Sequence, residues 1–540
     1  MTFDFPRPRL ERAPRSFGRS AVRAAGAIVA TGQPLAAEAG LQILRQGGNA
    51  FDAAVATAAV LNVVEPMSTG IGGDAFALCW VAKEGKLLAL NASGRSPHGL
   101  TADVLRRRGL TAVPETGIFS VTVPGAAAGW ADLVSRLGRL PLPDILAPAI
   151  HYAEEGFPVS EVIALSWQSA VEKLSAWPPT KATYLVGGRA PRAGEVIRQQ
   201  NLARTLRWFA ADGPERFYRG EVARAIVATS EASGGSFTLQ DLADHTSDWV
   251  EPISTSYRGV ELYECPPNGQ GLAALIALNI LEDDDLASLG HNSAEYLHLL
   301  IEAKKLAFAD RDRYIADPDQ SPAPLPRLLS WEYAAERREL IDTGRASASF
   351  PAGAFSAGED TVYLTVVDAE RNCCSFINSL YTGFGSGLVA GDTGVCLQNR
   401  GACFVLEKGH PNCVGPHKRP LHTIIPAFAA RQGRPWLCYG VMGGHMQPQG
   451  HVQVLLNMVD FGMAPQDALE APRFCHFDGL RVALEHPAHE EVGPALAARG
   501  HHLLSNPGLY GGGQLIEIDP ETGALAAGSD PRKDGCAVGY

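Results

Sequence analysis

The stretch Gly358-Glu-Asp-Thr-Val-Tyr-Leu-Thr-Val-Val-Asp368 decides how this chain is read. A short polar segment precedes Asp360 and Thr361. Thr361 then opens a run of apolar and β-branched residues, the composition of a half-buried strand. Taken alone, a threonine there is an ordinary strand residue. If the Asp360–Thr361 bond is cut, Thr361 becomes a new N-terminus. It then carries a hydroxyl nucleophile and an α-amine base on one residue, a complete device for acyl chemistry. The remainder of the sequence decides between these two readings.

The chain has 540 residues, 46% of them hydrophobic, which is ample for a large core. Length alone allows several domains. The formal net charge is −12 with both signs interspersed. Without a Lys/Arg block, no nucleic-acid footprint is expected. The first residues lack the apolar core of a signal peptide. No uncharged apolar run is long enough to predict a membrane span. Ten cysteines without a C-x-x-C pair suit reduced thiols, and with them a cytoplasmic location. Cys373 and Cys374 are adjacent on a predicted strand, so they are expected on opposite faces as packing residues.

Working outward, 35–46 reads as an amphipathic helix stopped by Gly47-Gly48. Asn49 caps the next helix, 50–64, with Asp52 three residues later closing a capping box. That helix is alanine-rich and nearly uncharged, so it is expected to be buried. Ser68–Asp74 is a tight glycine turn. Strands 75–81 and 87–91 follow as a hairpin. Residues 103–231 read as largely helical, and 237–249 and 259–264 return to the core. Residues 293–313 form a long helix, 318–326 a loop, 332–345 a last helix and 346–360 a linker. Beyond Thr361, strands 361–367 and 373–379 flank one turn, and 515–518 and 525–527 flank another, with helices near 451–458 and 465–469.

Several of these segments together resemble the gamma-glutamyltransferase family. They are Gly47-Gly-Asn-Ala-Phe-Asp-Ala-Ala-Val-Ala, Glu65-Pro66, Gly70-Ile-Gly-Gly-Asp74, Val123-Pro-Gly125, Ala307-Phe-Ala-Asp-Arg311, Gly443-Gly444 and Asp530-Pro-Arg-Lys-Asp-Gly535. They fall in family order over nearly the whole chain. The resemblance implies an α/β (α+β) fold, the four-layer α-β-β-α sandwich of the N-terminal-nucleophile hydrolases. It also implies a precursor that cleaves itself between Asp360 and Thr361. Residues 1–360 would be the large part and 361–540 the small part of one composite domain, held together as an αβ heterodimer. No cofactor and no metal are implied.

The resemblance assigns Thr361 as nucleophile and Gly443 and Gly444 as the oxyanion site, where glycine lets backbone N–H groups approach an intermediate closely. It places Ser379 where a hydroxyl supports the nucleophile. Thr365, four residues along the same strand, shares its face. Arg95 matches the arginine that holds a substrate carboxylate, a task suited to a guanidinium fork. The pocket departs from the family elsewhere. The positions that grip an α-ammonium are Tyr381 and Cys403, with Arg400 nearby, and the family's paired serines are His422 and Thr423. A neutral thiol cannot balance an ammonium ion, and Arg400 repels one. The expected substrate is therefore a small acid-bearing amide. Gamma-glutamyl, glutaryl and oxamate types are the candidates, and Ile377-Asn-Ser-Leu-Tyr381 resembles oxamate amidohydrolases.

His410, Cys413, His417 and His422 cluster in sequence, but the segment is rich in Pro and Gly and no zinc site is assigned. The Asp310–Arg313 charge run is expected to be solvated or locally paired. Two function classes remain. One is a self-processing amide hydrolase or acyl transferase acting through a Thr361 ester. The other is an uncut, non-catalytic protein that binds a small acidic metabolite.

Overall fold

A computed structural model describes residues 18–350, 360–505, 508 and 510–540. Its centre is two seven-stranded sheets. The first runs Cys536–Gly539, Ile28–Thr31, Asp360–Val367, Cys373–Tyr381, Asp74–Val81, Lys86–Ala92 and Asp248–Val250. The second runs Val22–Ala24, Leu525–Ser529, Gly512–Ile518, Arg434–Met442, Ala427–Arg431, Val260–Glu264 and Ile253–Tyr257. Neighbouring strands in both are antiparallel.

Alternation along the strands builds three apolar layers. Phe76, Tyr363, Ile377 and Cys373 from the first sheet meet Phe428, Cys438 and Ile516 from the second. Val362, Leu364, Val366 and Cys374 face the other way, onto helices Pro34–Arg45, Ala50–Val64, Ala126–Leu137 and Leu142–Glu155. The outer face of the second sheet packs on Gly271–Leu281, Ala294–Tyr314 and Gln447–Val459. The result is the four-layer α-β-β-α order. Cys373 and Cys374 fall in different layers, as their adjacency on a strand requires.

Helix Ala50–Val64 has every residue buried. Its start is fixed by the capping box: Asn49 accepts from Asp52 N, and Asp52 accepts from Asn49 N. Both predicted hairpins around Thr361 and Asp519 are present, each a little longer than expected. The predicted helix 332–345 is shorter, Trp331–Arg338. Arg338 forks onto Asp284, and the chain then turns to bury Ile341 and offer the Asp342 carbonyl to His298. Within the predicted 318–326 loop, a turn of helix begins at Leu325. Most of the predicted linker lies outside the described residues. Among the described residues no helix is long and apolar enough to cross a membrane.

Candidate active site

Thr361 lies on the inter-sheet face of its strand, at the end where that face opens. Pairing steps from Asp360–Tyr381 to Val362–Asn378, so a bulge falls at Thr361. Two residues of the partner strand, Ser379 and Leu380, oppose it. A bulge re-aims a side chain and interrupts the ladder. Here it brings Thr361 Oγ1 to 3.1 Å from Ser379 Oγ. Ser379 Oγ also accepts from the Tyr381 N–H at 2.8 Å. Ser379 is set in turn by the glycine turn behind it. A Cβ on Gly73 would stand 2.3 Å from the Ser379 carbonyl oxygen, so only glycine fits.

Gly443 follows strand Arg434–Met442 with φ 117°, a conformation side chains rarely adopt. Gly444–Met446 forms one tight turn that leads into helix Gln447–Val459. The N–H groups at that helix start carry partial positive charge. Gly443 and Thr361 line one cavity of about 480 Å³, together with Tyr510, Arg532 and Lys533. Arg532 is committed to Glu485 and Asp530.

The glycine turn is tied to the rest of the site by Gln270. Its Nε2 donates to the carbonyls of Gly444 (2.9 Å) and Thr423 (2.7 Å). Its Oε1 accepts from Arg311 Nη1 at 2.7 Å, and Arg311 also meets His445 Nδ1 at 3.0 Å. The charge run is thus not solvated at Arg311, which is fully buried against the site. Its neighbour Asp312 does make the local ion pair expected, at 2.8 Å.

Tyr381, Arg400, Cys403 and Thr423 lie together. Arg400 is fully buried, stacks 4.4 Å over the Tyr381 ring and donates to Thr423 Oγ1 at 2.6 Å. Tyr381 is held at φ 85°, a strained backbone for an aromatic residue. Cys403 is half-buried beside both, and burial pushes its thiol up, so it stays neutral. His422 turns away from Thr423. Its Nδ1 accepts from Ile424 N, so Nε2 carries the proton and donates to Asp74 at 3.0 Å. Burial, then Arg400 and Arg419, keep His422 uncharged. Burial lifts Asp74 to about 6 against the pull of Arg400.

Arg95 departs from its expected place. Its guanidinium pairs with Asp319 at 3.0 Å and Asp248 at 3.7 Å, and no described contact joins it to Thr361, Ser379 or Tyr381. Thr365 also leaves the site: its hydroxyl donates across the sheets to the Cys438 carbonyl. The sequence cluster of His410, Cys413, His417 and His422 disperses. His410 accepts from Asn412 N, His417 stacks on His98, and His422 serves Asp74. Gln270, Asp74 and Lys533 were not found from sequence. Asp74 and Lys533 lie within quoted motifs, but nothing in spacing gave their partners. Gln270 carried no signal, because its partners Arg311, Thr423 and Gly444 lie 41, 153 and 174 residues away.

The family model described as Gamma-glutamyltranspeptidase matches residues 36–540. The chain is 41% identical over 517 residues to a glutathione hydrolase-like YwrD proenzyme of Bacillus subtilis, covering 94% of this chain and 97% of the relative. It is 36% identical over 525 residues to an oxamate amidohydrolase proenzyme of Klebsiella pneumoniae, covering 94% and 97%. Among solved structures, a cephalosporin acylase from Bacillus halodurans superposes with a TM-score of 0.92 at 46% identity, covering 98% of both chains.

Proposed function

The chain belongs to the gamma-glutamyltranspeptidase family, and from that premise we propose that it is an amidohydrolase or acyl transferase that cuts itself before Thr361 and acts on a small carboxylate-bearing amide. The observation that carries this reading is Thr361 Oγ1 at 3.1 Å from Ser379 Oγ, at a strand bulge that opens on the same cavity as Gly443.

In the uncut chain, the Thr361 hydroxyl attacks the Asp360 carbonyl carbon. The C–N bond to Thr361 breaks, and water hydrolyses the resulting ester, leaving an Asp360 carboxyl and a free Thr361 amine. That amine has an ordinary pKa of about 7.7–8, so a fraction of it is free to act as base near neutral pH. In turnover it takes the hydroxyl proton while Oγ1 bonds to the substrate carbonyl carbon. Backbone N–H groups at Gly443 and Gly444 hold the oxyanion. The proton passes to the leaving amine as the C–N bond breaks. Water, or an acceptor amine, then attacks the threonyl ester.

The leaving amine is assigned to the open cavity. Lys533 lines it and makes no ion pair with a described residue, so an amine bearing a carboxylate is matched there. The acyl side is assigned to Tyr381, Arg400, Cys403 and Thr423. With no carboxylate among these four residues and a guanidinium in their midst, an α-ammonium group is disfavoured. The names of the relatives span glutathione hydrolase, oxamate amidohydrolase and acylase. Such a range is consistent with a shared mechanism and divergent acyl pockets.

The test is a denaturing gel of purified full chain with mass analysis of the small fragment. Two fragments of about two-to-one mass, the smaller beginning at Thr361, are expected from the sequence lengths. Thr361→Ala should remain one inactive band. Oxamate, glutaryl-anilide and γ-glutamyl-anilide are then compared as substrates. A single wild-type band in active material would rule out the mechanism. A clear preference for the γ-glutamyl compound would rule out the acid-only pocket.

A further inference from the structure

Arg400 presents an unusual balance of charge and contacts. The side chain is fully buried. Of its guanidinium nitrogens, only Nη1 has a partner, the Thr423 hydroxyl. Nε and Nη2 are buried and meet no acceptor among the described residues. A buried donor left unmade costs the full desolvation of that group, and more when the group is charged. The Tyr381 ring, 4.4 Å from the guanidinium, offers a π face but not a hydrogen-bond acceptor in that plane. The Cys403 thiol borders the guanidinium and stays neutral, so it cannot balance the charge. The carboxylate of Asp74 feels the charge of Arg400, but both of its oxygens are already engaged. One accepts from Gly94 N and Gly125 N, the other from His422.

We propose that Arg400 is the receptor for the carboxylate at the far end of the substrate's acyl group, through Nε and Nη2, and that Arg95 is not. This rests on the amide-hydrolase reading above. Nε and one terminal nitrogen of a guanidinium form the fork that fits the two oxygens of a carboxylate. The position is suitable for the acyl side. Tyr381, which carries the ring under Arg400, donates its N–H to the same Ser379 oxygen that meets Thr361. Nucleophile and guanidinium are thus linked through two residues, Ser379 and Tyr381. Cys403 is the one member of the group that is partly exposed. Arg95, by contrast, is already neutralised by Asp319 and Asp248. The substrate class that follows is the monoamide of a dicarboxylic acid, without an α-amino group.

The test uses full-length, self-cleaved protein. Hydrolysis of glutaryl-anilide is compared with that of pentanoyl-anilide, which has the same five-carbon acyl chain and no carboxylate. Binding of free glutarate and of oxamate is followed separately by thermal shift. Wild type should favour the glutaryl compound by about 100-fold or more in kcat/KM. Arg400→Gln should remove most of that preference, chiefly through KM, and abolish stabilisation by both acids. Arg400→Lys, which keeps the charge and loses the fork, should fall about 10-fold in acid affinity. Arg95→Gln should keep both the preference and the acid binding. Appearance of both fragments on a gel reports folding of each variant, and Arg400→Lys serves if Arg400→Gln fails to process. Acid binding undiminished in Arg400→Gln or in Arg400→Lys, or loss confined to Arg95→Gln, overturns the proposal. If neither amide is hydrolysed, the enzymatic reading fails. The acid-binding arm still decides the role of Arg400.

Discussion

Ser379 does two things with one oxygen. It meets the Thr361 hydroxyl at 3.1 Å and accepts the Tyr381 N–H at 2.8 Å, so it ties Thr361 to the strand end that carries Tyr381. Removing that hydroxyl leaves the Tyr381 N–H buried without this acceptor, and such a loss costs about 1–3 kcal/mol. Ser379→Ala should therefore slow self-cleavage by about 10- to 100-fold without preventing folding. A time course of fragment appearance on a gel measures it, and an unchanged rate would remove Ser379 from the mechanism. Sequence reading grouped Ser379, Tyr381, Arg400, Cys403 and Thr423 with Thr361, and contacts run from Thr361 through Ser379 and Tyr381 to Arg400 and Thr423. It could not show that Arg95 is already neutralised. That depends on Asp248 and Asp319, which lie 153 and 224 residues further along the chain.

At the scale of elements, the chain entering and leaving the hairpin Gly512–Ile518 and Leu525–Ser529 lines the open cavity, through Tyr510, Gly511 and Pro531–Lys533, and Asp530 ties the hairpin's end. Asp530 accepts from Gly513 N at 2.8 Å and from Arg473 at 2.7 Å, and it also pairs with Arg532. Burial alone would raise its carboxyl, but Arg473 and Arg532 outweigh that and hold it below the ordinary aspartate value. The stability it contributes is therefore complete above about pH 4 and is lost only as pH falls through the lowered folded value. Asp530→Asn leaves the buried Arg473 without its counter-charge, which should cost about 3–5 kcal/mol. Urea unfolding of both proteins at neutral pH checks this. A change within error would mean that the pair adds no net stability.

Most elements were legible in the sequence because their signals are local. The Asn49–Asp52 box starts a helix within four residues, and the Asp519–Gly523 turn fixes its hairpin. Helix 332–345 was overextended because its stop is tertiary, in the Arg338–Asp284 fork and the burial of Ile341.

At the scale of the molecule, both sheets draw strands from either side of the Asp360–Thr361 bond. In the first sheet, Thr361–Val367 pairs with Ile28–Thr31 on one side and Cys373–Tyr381 on the other. In the second, Val260–Glu264 pairs with Ala427–Arg431. Neither segment has a complete sheet of its own. The cut fragments should therefore comigrate on gel filtration as one particle and part only in denaturant. Elution as two separate folded species would mean that each half has its own core.

The sequence by itself determined the layers, the hairpins and the family. Those follow from side-chain periodicity, turn chemistry and motifs that act over a few positions. Only the tertiary structure decided which charges are already satisfied and which are not. Arg95 and Arg400 are alike as sequence. One lies between two carboxylates, and the other is buried with two donors unmet. That difference belongs to the neighbours each arginine acquires when distant strands and loops pack together.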